Sequence, residues 1–244
     1  MRYAVLLYED ETAGQARTPA EREELMAEHQ AFVGRVHASG GQLVAGNQLQ
    51  PTATARTLRW PDDGVTVSEG PFAETAEQFG GFYTIDVADL DAAMAAVTGL
   101  PHHVELRPVV EHPEMEASAA ASDDPLYVVL LYGNEDTWLH ATPDERDAMS
   151  ARHGAYAAGA SDHGATIVGG EELAHSSTAT TLRLGGTDGE VVVSDGPFAE
   201  TAEQLGGFYL VRAPSVEAVI SHLDLLPGEA TEVRPAFEMA VRAS

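Results

Sequence analysis

The residues with chemistry to offer come in pairs: His29 and His153, Glu69 and Asp195, Glu74 and Glu200, Arg107 and Arg234, Tyr8 and Tyr132. An imidazole beside a carboxylate moves protons near neutral pH, the acid orienting the ring or accepting the proton. His29 with Glu69, and His153 with Asp195, are the candidate acid–base pairs. The other reading of each histidine is a core residue bonded to a backbone carbonyl, because His29 falls in the apolar stripe of a helical pattern. Arg107 and Arg234 alternate with Glu105 and Glu232, which suits either an exposed edge-strand ion pair or a clamp on a carboxylated ligand. Tyr8 and Tyr132 either fill the core or line a cleft. Glu74 and Glu200 have no evident structural duty and stand as candidate ligand contacts.

Other chemistries lack their residues. With no cysteine there is no thiolate nucleophile, no disulfide and no cysteine-type zinc site. All 13 basic residues are arginine, so a lysine Schiff base is excluded. His102, His103, Glu111 and His112 cluster, but the matching stretch Gly228 to Glu238 has no histidine. No HExxH accompanies them, and no metal site is expected. There is no P-loop, no GxGxxG and no Gly-x-Ser-x-Gly elbow, so neither a nucleotide cofactor nor a Ser-triad hydrolase has a sequence signature, and no cofactor is expected. A formal charge of −26 leaves no basic surface for nucleic acid and serves solubility instead. No segment is apolar for long enough to span a membrane, and acidic residues follow the N-terminus too soon for a signal peptide. A cytoplasmic location is expected.

The elements that must position these residues read clearly. Tyr3 to Tyr8 is a short apolar run with aromatic ends, the pattern of a buried strand. Thr18-Pro19 supplies an N-cap and a first-turn proline, with Glu21, Glu23 and Glu24 at the positive end of the helix dipole. That helix runs to about Ser39, stopped by Gly40-Gly41, with Leu25, Met26, Phe32, Val33 and Val36 as its apolar face. Strands follow at Gln42 to Leu49, Thr54 to Trp60 and Val65 to Ser68, with a turn at Pro61 to Gly64. Phe82 to Val87 is a further strand, Asp89 to Thr98 a second helix stopped by Gly99, and Val104 to Val109 the closing strand. Strand, helix, two or three strands, helix, strand is the split βαβ order, an antiparallel sheet with both helices on one face.

The whole pattern then recurs. The block GPFAETAEQFGGFY, Gly70 to Tyr83, returns as Gly196 to Tyr209 with only Phe79 changed, to Leu205. Thr18, Pro19, Glu21, Arg22 and His29 match Thr142, Pro143, Glu145, Arg146 and His153. The expected domains are 1–113 and 126–244, joined by a small, polar linker at 114–125. Each copy leaves one sheet face bare, and the other copy is the nearest cover. The expected fold class is α+β, two ferredoxin-like domains of the dimeric α/β barrel type forming an intramolecular pseudo-dimer. Within the block, Gly70-Pro71 should make a tight turn and Phe72 enter the core. Thr75 to Gln78 should cap a single helical turn that Gly80-Gly81 ends.

SEGPFAETAEQFGGFY and SDGPFAETAEQLGGFY resemble the signature of the YCII-related, or DGPF-domain, family. So do the first strand ending in Leu-Leu-Tyr, the helical Glu28-His29 and Arg152-His153, and the terminal Val-Glu-Leu-Arg-Pro and Thr-Glu-Val-Arg-Pro. The resemblance covers both copies. It implies a ferredoxin-like fold that dimerises through its sheets and, by analogy with muconolactone isomerases, a site built on a histidine and an acid. By position these are His29 and His153, with Asp195 as the motif's acid and Glu69 standing in its place in the first copy, so unequal halves are expected. Members often carry lysine where this chain has Ala76 and Ala202, and their genes often lie beside extracytoplasmic-function sigma factors. The resulting expectation is a cofactor-independent binding protein, or a lyase- or isomerase-type enzyme, for a small polar or carboxylated ligand. The alternative is a non-catalytic regulatory protein with a sigma-factor partner.

Overall fold

The computed structural model describes residues 1–61, 64–110, 123–185, 190–226 and 228–237. Asp62 and Asp63 of the expected turn, Glu111 and His112 of the histidine cluster, and most of the expected linker lie outside them.

In the first copy, β1 (Arg2–Asp10) leads into a short helix α1 (Glu11–Ala16) and the long α2 (Pro19–Ala38). Then come β2 (Gln42–Leu49), β3 (Arg56–Arg59), β4 (Thr66–Glu69), β5 (Glu77–Asp86), α3 (Leu90–Val97) and β6 (His103–Val110). The second copy repeats the order as β7 (Leu126–Gly133), α4 (Glu135–Leu139), α5 (Pro143–Gly159), β8 (Thr166–Leu173), β9 (Thr180–Leu184), β10 (Val191–Asp195), β11 (Gln204–Arg212), α6 (Val216–Ile220) and β12 (Ala230–Phe237). The capping box opens the long helices: Thr18 accepts from the Glu21 amide while Glu21 reaches back to Thr18, and Thr142 with Glu145 does the same. It does not form in the GPF block. There Glu77 already starts a strand, and the Gln78 side chain donates to the carbonyls of Ala73 and Thr75, tying down a loop and not a helical turn.

The strands close on themselves in the order β1, β5, β2, β12, β7, β11, β8, β6 and back to β1. The bare sheet faces thus become the inside of one barrel, filled by Leu6, Phe79, Phe82, Val128, Leu130, Leu205 and Phe208, with Phe82 and Phe208 4.4 Å apart across the pseudo-two-fold. Alternate residues such as Tyr3, Val5 and Leu7 point outward under α2 and α3. The barrel's two inter-copy seams are short, Leu49 opposite Ala236 on one side and Val109 opposite Leu173 on the other.

Hairpin exchange reinforces the seams. β3 pairs with β12, placing Leu58 in the second copy's helix-side core, and β9 pairs with β6, placing Leu182 in the first copy's. The chain therefore folds as an intramolecular pseudo-dimer of ferredoxin-like units.

Candidate functional site

The exchanged hairpins carry the GPF loops across to the opposite copy, where a buried charge pair receives each one. Glu105 and Arg107 sit opposite Leu6 and Ala4 on the barrel's inner side, each only 1% exposed. Arg107 Nε donates to Glu105 at 2.8 Å, and its Nη1 donates to the carbonyls of Ala174 and Leu205. The second Glu105 oxygen accepts the Phe198 amide at 2.8 Å. Glu232 and Arg234 repeat this: Glu232 accepts the Phe72 amide at 2.8 Å and Arg234 donates to the Phe79 carbonyl. Both sequence readings of these arginines, exposed edge pair and ligand clamp, give way to a third. Their hydrogen-bonding capacity goes to the neighbouring glutamate and to backbone of the other copy, because the hairpin exchange brings that backbone to them.

Tyr8 and Tyr132 complete the same assembly. Phe198 stacks on Tyr8 and Phe72 on Tyr132, and each phenylalanine also lies under an arginine, Arg183 at 4.2 Å and Arg59 at 4.6 Å. The Tyr8 hydroxyl bonds to Glu105; burial, then the negative charge of Glu105, pushes its pKa well up. Tyr132 is raised likewise, first by burial and then by Glu232.

The candidate acids land elsewhere. Glu69 ends β4, is 85% exposed and pairs with Arg56 at 3.4 Å, while Asp195 ends the exposed strand β10. The expected link from Glu69 to His29 is not made, because β4 travels with the exchanged hairpin, away from α2. Glu74 is exposed, and Glu200 stands on the rim of a cleft of ≈ 320 Å³ in the second copy.

His29 finds different partners. From α2 it faces the outer side of the sheet, with Nδ1 2.9 Å from the Tyr83 hydroxyl and Nε2 3.1 Å from His102 Nε2. His102, 7% exposed and just ahead of β6, turns its Nδ1 toward Glu9 at 3.6 Å, and Glu9 is ion-paired with Arg17 at 2.5 Å. Burial, then Arg17, lowers the pKa of His29. That of His102 falls to about 3, by burial first and then by the neighbouring His29, Arg17 and His103. Burial lifts the Tyr83 phenol to about 12. Both rings are therefore neutral at pH 7. A carboxylate at His102 Nδ1 favours the proton there, so His29 Nε2–H donates to His102 and Tyr83 O–H donates to His29. The result is one hydrogen-bonded row, Tyr83, His29 and His102, with Glu9 3.6 Å beyond His102 Nδ1, outside hydrogen-bond distance.

The second copy keeps the inner end of this row. His153 Nδ1 meets the Tyr209 hydroxyl at 2.7 Å, but Gly133 and Glu229 occupy the positions of Glu9 and His102. His102 and Glu9 were not legible as site residues in the sequence. The signal available was the mismatch itself, Glu9 and His102 of one copy replaced by Gly133 and Glu229 in the other while His29 and Tyr83 recur as His153 and Tyr209.

A chlorite dismutase mutant from Candidatus Nitrospira defluvii is similar in structure with a TM-score of 0.45 at 7% identity, covering 97% of this chain and 91% of that one. An uncharacterized protein of Rhizobium meliloti (strain 1021) is 45% identical over 94 residues, 38% of this chain and 75% of the relative. The model of the YCII-related domain matches twice, at residues 1–111 and 125–236. The chain belongs to the YCII-related family and carries its domain as a tandem duplication.

Proposed function

We propose that the first copy is a cofactor-independent acid–base site of lyase or isomerase type, acting on a small polar or carboxylated ligand. A ligand that displaces the Tyr83 hydroxyl exchanges the proton with His29 Nδ1, His102 and Glu9 relay it, and Arg17, ion-paired with Glu9, offers a cation to an incoming carboxylate. The observation that carries this reading is the 3.1 Å contact between the two imidazoles. A buried histidine disfavours its own cation, and two adjacent ones cannot both be charged. A proton taken up at His29 Nδ1 in place of the Tyr83 hydroxyl bond can shift from His29 Nε2 to His102, and from His102 Nδ1 to Glu9 once that carboxylate closes the 3.6 Å between them. In the second copy the positions of Glu9 and His102 are held by Gly133 and Glu229, and His153 serves binding or packing.

Deuterium exchange at carbon next to a carbonyl tests this without presupposing the reaction. A panel of small oxo acids and lactones is incubated with the protein in D2O and followed by proton NMR. Exchange of at least one member should exceed the buffer rate, fall by about a hundredfold in His29→Ala and His102→Ala, and persist in His153→Ala. Equal exchange in wild type and His29→Ala, or no exchange with any member, would overturn the reading.

A further inference from the structure

We propose a second, separate site in the other copy: an acyl-transfer centre in which Ser177 is the nucleophile, His175 its base and Glu135 the orienting carboxylate. All three line the ≈ 320 Å³ cleft, together with Asp136, Glu200 and Gln204, and none belongs to the His29 row. Ser177 Oγ lies 3.0 Å from His175 Nδ1, and His175 Nε2 lies 3.6 Å from Glu135 Oε2, an ion-pair separation outside hydrogen-bond distance, with that oxygen also accepting from the Ser176 hydroxyl.

The protonation of His175 follows from its neighbours. The backbone N–H of Ser177 points at His175 Nδ1 at 3.2 Å, and a backbone N–H can only donate. Nδ1 is therefore a lone pair, the ring proton sits on Nε2 on the Glu135 side, and the Ser177 hydroxyl and backbone N–H share that lone pair. That is the tautomer a serine nucleophile needs, with the two ring nitrogens in exchanged roles relative to the usual serine–histidine arrangement. Glu135 is fixed for its part. It accepts from the Ser176 amide at 2.8 Å and from the Ser176 hydroxyl, and Arg107 Nη1 lies 3.7 Å away.

Comparison of the copies separates structure from chemistry. Glu11 accepts from the Thr52 amide and hydroxyl just as Glu135 accepts from Ser176. Holding the short turn after β2 or β8 is thus a duty common to both halves. The positions of His175 and Ser177 are Pro51 and Ala53 in the first copy, where the same turn forms without them. Histidine and serine are additions to a turn that does not need them, over an open cleft.

The substrate class is a small ester. Ser177 Oγ bonds to the ester carbonyl carbon while its proton passes to His175 Nδ1; the bond to the leaving oxygen then breaks and the alcohol departs with that proton. Water attacks the acyl-serine with the same help, releasing the acid and restoring Ser177. The exposed carboxylates of Asp136 and Glu200 at the rim select a neutral or cationic ester over an anionic one.

The probe is p-nitrophenyl acetate with the full chain, following release of p-nitrophenolate and locating acetyl groups by peptide mass spectrometry. Acetyl should accumulate on Ser177 about tenfold or more faster than on any other serine or threonine, Thr52 included. Ser177→Ala, a change at an exposed position, should abolish the early release, and His175→Gln should slow it by about tenfold or more. The anionic p-nitrophenyl hemisuccinate should react more slowly than the acetate, the gap narrowing in Glu200→Gln. Acetyl scattered over surface residues, or release unchanged in Ser177→Ala, would show local capping of the turn and overturn the proposal.

Discussion

Phe198 of the second copy lies flat against Tyr8 of the first, ring centroids 4.3 Å apart and planes 15° from parallel. Phe72 and Tyr132 make the same contact in the other direction, at 4.1 Å and 7°. The phenylalanine of the repeated block is thus the point at which each copy grips its twin, which is reason enough for the block to be kept in both. Phe198→Ala should cost about 3 kcal/mol through lost burial and stacking, and Phe72→Ala a similar amount. Urea unfolding of both single variants and the double variant measures it, and losses that add would mark the two grips as independent.

Arg107→Met should destabilise by about 3–5 kcal/mol, since it leaves Glu105 charged and buried without its cation. Replacing the pair together, Glu105→Leu with Arg107→Met, restores less than it would for an ordinary buried ion pair. The Phe198 amide and the Ala174 and Leu205 carbonyls that the pair serves would still be orphaned. Near-wild-type stability of the double variant in chemical denaturation would refute the cross-copy role.

Glycines in the repeat divide by what a Cβ would strike. At Gly81 it would lie 2.7 Å from the Asn47 carbonyl oxygen, and at Gly207 the same distance from that of Glu171. Backbone cannot give way there, so Gly81→Ala and Gly207→Ala should each be destabilising. Gly34 in α2 and Gly154 in α5 have nothing within 4 Å, and alanine there should stabilise by up to about 1 kcal/mol. Thermal melts of the four variants should shift in opposite directions, pair against pair.

These observations explain what the sequence disclosed. Periodicity, caps and the long repeat made the strands, the two main helices and the covered sheet faces legible, because each depends on neighbours close in the chain or on simple alternation. Hairpin exchange is a choice between two equivalent partners, and nothing local in Arg56 to Glu69 distinguishes them. That one topological fact moved Glu69 away from His29, buried Arg107 and Arg234, and turned the GPF block from a capped turn into a strap. The histidine itself was legible from its recurrence. Its partner His102 was not, since it lies 73 residues away and only packing of α2 against the sheet brings the rings together.

Acid should expose His102. Its pKa falls from the ordinary 6.5 to about 3 in the folded protein, chiefly through burial. Between those values the unfolded chain binds a proton at this residue and the folded protein does not, so stability rises with pH across the window and is fully present above it. One such group contributes a slope of up to about 1.4 kcal/mol per pH unit. Titrating carboxylates and the fading self-repulsion of a chain with formal charge −26 also act over this range, so the reading is a difference. His102→Gln removes the titration while leaving an amide beside His29 and Glu9. Between pH 7 and pH 5 the wild-type protein should lose about 2 kcal/mol more stability than this variant in urea unfolding. His29, lowered in the same direction, keeps a residual slope in the variant. Parallel stability curves for the two proteins would mean that His102 is charged in the folded state, and the neutral row from Tyr83 to His102 would have to be abandoned.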